Sequence, residues 1–231
     1  MKHSAFAVTL FLSLLPSWAW ALSVPSLPAG MCPLDAKVAE HAVVIDYLTS
    51  ANQGSNTMVS SFASCDELAA IAEKKGNGIR HYGAILQQAI GAALPHDRKL
   101  YVETVASVYG SGARLTNATL SGVQAAVGAG AINSGTKKAD SVDVNNKGIV
   151  FKNDDMVIIA LKQTNHFAPK NLERLPDANK PVEVASTAAM TLIAKTPISV
   201  NLYAPAADAD AFAKSSATLQ PYVAALIAAN P

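Results

Sequence analysis

The chain has 231 residues, half of them hydrophobic, and carries 18 Lys and Arg against 17 Asp and Glu. So even a balance excludes a general electrostatic pull toward nucleic acid or an anionic membrane, and no local run of Lys and Arg supplies one. The length suffices to bury a core as a single domain.

Lys2 and His3 form a short basic region, Ala5 to Leu15 an apolar one, and Ala19-Trp20-Ala21 a small-x-small cleavage site. Together they predict a secretory signal peptide over residues 1–21. The competing reading, a buried N-terminal helix, leaves that order of charge, apolar run and small residues without a reason. The apolar run is shorter than the roughly 20 residues a membrane crossing needs, and no later window replaces it, so a mature chain with no membrane span is expected. Cleavage removes both tryptophans, Trp18 and Trp20, and one lysine, which leaves the mature chain near neutral.

Two cysteines remain, Cys32 and Cys65. In an exported, oxidising setting the default is a disulfide between them, closing a loop of about 34 residues and contributing roughly 3 to 4 kcal/mol by chain entropy. A metal site would want more ligands at ordered spacing, and neither a metal nor a cofactor is expected. One argument favours a reactive Cys65 instead: it stands at a helix start, where a thiol pKa falls.

Residues 22–31, rich in Pro, Ser and Gly, read as an extended leader into a single domain over 32–231. Val38, Ala42, Ile45 and Leu48 repeat at helical spacing to about Ala51, widened by Ala39, Val43 and Tyr47. His41 lies in this helix as a polar edge residue. Met58 to Phe62 reads as a strand, and Ser64 and Glu67 stand at capping-box spacing before a helix from about Asp66 to Lys75. After Gly76-Asn77-Gly78, a helix is expected over 79–94, with Ile85, Leu86, Ala89 and Ile90 on its apolar face. Asp97 can cap the next helix, whose Leu100, Val105 and Val108 predict the buried side up to Tyr109. Arg80, His81, Tyr82, Tyr101 and Glu103 then form the densest collection of groups able to meet a polar ligand.

Gly110 to Thr136 is dominated by Gly, Ala, Ser and Asn, and contains neither a nucleophile elbow nor a complete dinucleotide fingerprint. Asn117-Ala118-Thr119 matches a glycosylation sequon. Ile149 to Phe151 reads as a strand, Lys152 to Asp155 as a turn, and Met156 to Leu161 as a central strand. Asp154 and Asp155 are adjacent turn residues whose side chains should diverge. Gln163 to Lys180 is a long polar connection containing His166, a candidate functional loop. Beyond it, Val182, Val184, Ala188, Met190 and Leu192 share one parity, Lys195 to Pro197 interrupt, and Ile198, Val200 and Leu202 resume, which predicts a half-buried antiparallel hairpin. Asp208 is placed to cap a closing helix with Phe212, Leu219, Val223, Leu226 and Ile227 on one face, kinked or restarted at Pro221.

The expected fold is α+β, an antiparallel sheet with helices packed on it. In its strand, turn, strand and final helix, Val182 to Asn230 resembles the C-terminal half of the PsbP/Mog1-like sandwich, found in small exported and lumenal proteins. That resemblance implies a binding or assembly factor and transfers no site residue. The leading functional expectation is therefore an exported, periplasmic or secreted, non-catalytic factor of the cell envelope, with His81, Tyr82, Tyr101 and His166 as ligand-binding candidates. The alternative is a small hydrolase or ligand-modifying enzyme, which would require convergence among His81, Tyr82, Asp97 and His166. A third reading makes the Gly and Ala-rich segment the contact of an envelope assembly.

Overall fold

A computed structural model describes residues 22–52, 56–76, 78–88, 97–110, 141–166 and 182–231. The leader over 1–21, the small-residue segment with its sequon, and 167–181 of the polar connection lie outside the described residues. Seven strands form one open antiparallel sheet in the order β1-β2-β3-β7-β6-β5-β4. They are β1 (Met31–Pro33), β2 (Asn56–Ser64), β3 (Tyr82–Gln88), β4 (Ser141–Lys152), β5 (Val157–His166), β6 (Val182–Ile193) and β7 (Thr196–Pro205). Four helices accompany them among the described residues: α1 (Ala39–Asn52), α2 (Cys65–Ala72), α3 (Arg98–Gly110) and α4 (Ala211–Ala228). The α+β expectation holds.

The sheet is covered on both faces. Against one face, Leu219, Val223 and Leu226 of α4 pack on Phe62, Ile85, Ile158, Ala189, Ile193 and Val200. On the other, Val44, Tyr47 and Leu48 of α1 meet Tyr82, Ala84 and Leu86, while Tyr101, Val102 and Ala106 of α3 meet Val157, Ile159, Ala188 and Leu192. Strands buried on both sides lose the period-2 alternation of a half-wet sheet. This corrects two expectations. The β6–β7 hairpin is buried on both faces and not half-buried, with Thr187, Thr191, Ser199 and Asn201 inside. The segment from Tyr82 to Gln88 is a strand and not a helix, because its unbroken apolar run, Tyr82 to Leu86, is enclosed by α1 on one side and α4 on the other.

The β6–β7 connection is a two-residue turn, Ile193 pairing with Thr196, with Ala194 at φ 45° and Lys195 at φ 65°. Two consecutive left-handed residues match the twist of the flanking strands, the geometry of a type I′ hairpin. α4 runs unbroken through Pro221, which sits on its exposed side. The helix does not restart there.

Leu22 to Met31 belongs to the fold. Leu22, Val24, Leu27 and Met31 pack against the cluster beneath α4. Asn230, just past α4, clamps this segment: its Oδ1 accepts from Ser23 N at 2.8 Å, and its Nδ2 donates to Ser23 O and Leu226 O, each at 2.8 Å. Cys32 and Cys65 form the expected disulfide, with Cα atoms 5.0 Å apart. Cys32 lies in the edge strand β1 and not at the mouth of α1, so the bridge staples that three-residue strand to the start of α2.

Candidate functional site

His81 immediately precedes β3, and its imidazole lies between two carboxylates. Nδ1 is 2.7 Å from Glu67 Oε1, and Nε2 is 2.8 Å from Asp208 Oδ2. Glu67 is fixed in turn: its Oε2 accepts the backbone N–H groups of Arg80 at 2.8 Å and His81 at 2.9 Å. Three elements therefore meet at one ring, α2 through Glu67, the approach to β3 through His81, and the β7–α4 turn through Asp208.

Each carboxylate has left the role its local sequence suggests. Ser64 and Glu67 make no capping box, since the Ser64 side chain makes no cap bond and Glu67 turns to the Arg80–His81 backbone. Nor does Asp208 cap α4. The N-cap there is Asp210, in a left-handed conformation at φ 59° and without a side-chain cap bond. In both cases a tertiary partner has displaced the local one.

A cleft of about 330 Å³ adjoins this assembly. His81, Asp208, Lys214 and Ser215 give it polar walls, and the methyl groups of Ala204, Ala209 and Ala211 fill in between. The volume is at the lower end for small-molecule sites, enough for a compact polar group. Charges of both signs line it, with Lys214 exposed on α4.

The other candidates do not join His81. Tyr82, the next residue, points to the opposite side of the sheet and is buried. Its ring stacks on Tyr203 with centroids 4.9 Å apart and meets Tyr47 edge-on at 6.0 Å. Burial, then the neighbouring Tyr47 and Tyr203 hydroxyls, raise the Tyr82 pKa well above its ordinary value. Burial also pushes Tyr47 up to about 12, against a smaller opposite effect of the Tyr82 hydroxyl. Although those two hydroxyls lie near enough to influence each other, Tyr82 Oη meets no hydrogen-bond geometry. Tyr82 thus lies in the core and does not line the cleft.

Tyr101 is likewise a core residue. It is 2% exposed and packs beneath α3, while the expected inner residues Leu100 and Val108 are 51% and 47% exposed. The helix is turned so that Tyr101, Val102 and Ala106 face the sheet. Asp97 does cap it, through Oδ1 to Leu100 N at 2.9 Å, and so does not converge with His81. Asp154 and Asp155 diverge as expected, to Lys99 Nζ at 3.2 Å and Arg98 at 3.1 Å. His41 Nδ1 accepts from Asp35 N at 3.1 Å, a local brace at the approach to α1. His166 ends β5, its backbone paired with Ser141, and its side chain lies outside the described residues.

Of the four residues expected to bind a ligand, one, His81, thus lines the described cleft. Glu67, Asp208, Lys214 and Ser215 were not anticipated. Glu67 and Asp208 stand 14 and 127 residues from His81, and no local spacing signals such a meeting. Among the described residues no group of His, Cys, Asp and Glu is arranged to hold a metal ion, since the ring of His81 keeps its two carboxylates on opposite sides. No helix among them is long and apolar enough to cross a membrane. Comparison with protein-family models, curated proteins and solved structures finds no match to this chain.

Proposed function

We propose that this protein is an exported, non-catalytic binding factor of the cell envelope, which receives a compact polar group in the cleft walled by His81, Asp208, Lys214 and Ser215. The observation that carries the reading is the double engagement of His81. A general base needs a ring nitrogen free for a nucleophile, and here both nitrogens face carboxylates. While both contacts hold, the imidazole is a wall of the cleft. Export is supported by the basic, apolar and small-residue order of residues 1–21 together with the Cys32–Cys65 bridge. The order of the last two strands and the final helix supports a binding or assembly role through its resemblance to PsbP/Mog1-like proteins.

Native mass spectrometry of the protein purified without denaturant from its own host tests the cleft. The wild type should carry an adduct that the obstructing variant Ser215→Trp lacks. Equal adduct on both would overturn the reading, as would hydrolysis of a p-nitrophenyl ester that disappears in His81→Gln.

A further inference from the structure

Ionised carboxylates only accept hydrogen bonds, and a neutral imidazole has a single N–H to donate. Contacts of 2.7 and 2.8 Å from the two ring nitrogens of His81 to Glu67 and Asp208 are therefore both satisfied only by the imidazolium. When the ring loses a proton, one of the two carboxylates must be released. Glu67 is held independently by the Arg80 and His81 amides, while Asp208 has no other side-chain bond among the described residues. We propose that His81 is a protonation-dependent clasp, which holds the β7–α4 turn closed as the imidazolium and frees it at Asp208 when deprotonated.

The turn is built to move when released. Among the described residues, the His81–Asp208 contact is the side-chain hydrogen bond that ties residues 206–210 to the α2–β3 corner; the other bonds of the turn join backbone groups, from Ala206 N to Glu183 O, Asp208 N to Pro205 O, Ala211 N to Asp208 O and Lys214 N to Asp210 O. The first turn of α4 lacks a side-chain cap, so its free amide groups offer the departing Asp208 carboxylate a second partner close by. Asp208 and Ala209 also form part of the cleft wall, so the clasp sets the shape of the cleft. In this respect the inference rests on the binding reading above; the movement of the turn does not. Glu67 from α2 and Asp208 from the turn face the ring, Lys214 from α4 shares the cleft wall, and Arg80 and Asp210 lie next in the chain to His81 and two residues beyond Asp208.

Amide hydrogen exchange over residues 206–211, measured at about pH 5 and at about pH 8, tests the clasp. Wild-type protection should exceed that of His81→Gln by about ten- to a hundredfold at the lower pH, the size of a charge-assisted hydrogen bond, and converge with it at the higher. Asp208→Asn, whose amide can donate to the neutral ring, should keep its protection at both. A wild-type to variant ratio that is the same at both pH values overturns the clasp. Because exchange is read without ligand, absence of any adduct in the native mass spectrum would refute the binding reading and leave this test standing.

Discussion

Gly83 is the position where a single methyl group should do most damage. A Cβ built there would lie 2.5 Å from one Phe62 ring carbon and 2.8 Å from another, and closer still to the Asn201 carbonyl of the paired strand. By intrinsic preference alone, Ala would be the better strand residue by roughly 0.5 to 1 kcal/mol. Sterics decide otherwise. Relief requires β3 to move off β7 or Phe62, which is fully buried, to leave its seat. Overpacking of this kind costs roughly 1 to 3 kcal/mol, and exposing part of a buried aromatic adds about 1 to 2 kcal/mol. Gly83→Ala should therefore lose about 3 kcal/mol net, which at a urea slope of about 2 kcal/mol per molar lowers the midpoint by about 1.5 M. In a Phe62→Leu background the loss should shrink without vanishing, since the Asn201 carbonyl still obstructs. Unchanged or raised stability in Gly83→Ala would refute the packing described at the β2–β3–β7 junction.

Removing the bridge with Cys32→Ser and Cys65→Ser frees a 33-residue separation, so urea unfolding should show a loss of about 3 to 4 kcal/mol. Asn230→Ala leaves Ser23 and the end of α4 without three hydrogen bonds; a loss of about 2 to 3 kcal/mol and faster proteolysis near residue 23 are expected. All six tyrosines have pKa values raised by burial, Tyr47, Tyr101 and Tyr222 to about 12. Each proton is held more tightly in the folded chain than in the unfolded one, so this contribution to stability is full below about pH 10 and lost as pH rises toward 12. Phenolate absorbance should begin to rise only above the ordinary tyrosine range; ionisation of all six tyrosines at about pH 10 with the fold intact would contradict the burial.

What could be read from the sequence follows the physics of each signal. The β6–β7 hairpin, the apolar face of α4 and the cap at Asp97 are local patterns, and the structure keeps them. The helix expected over 79–94 failed across Tyr82 to Gln88, the rest from 89 onward lying outside the described residues, because a strand enclosed on both faces is a plain apolar run, which Ile85, Leu86, Ala89 and Ile90 let pass as a helical stripe. On α3 the misread was one of rotation, with Val105 serving both assignments and Leu100 falling outside. The site was legible only as His81. Its partners were assigned to helix caps, roles that Glu67 and Asp208 fit by spacing, and only the folded chain shows that a histidine between them competes for both carboxylates.

Export and closure by the Cys32–Cys65 disulfide underlie the proposed role. Intact-mass measurement of protein recovered from the host's exported fraction, alkylated with and without prior reduction, tests this most directly. A chain beginning at Leu22 that takes no alkyl group before reduction and two afterwards is the predicted result. The full-length mass, with both thiols alkylated in the absence of reductant, would contradict it.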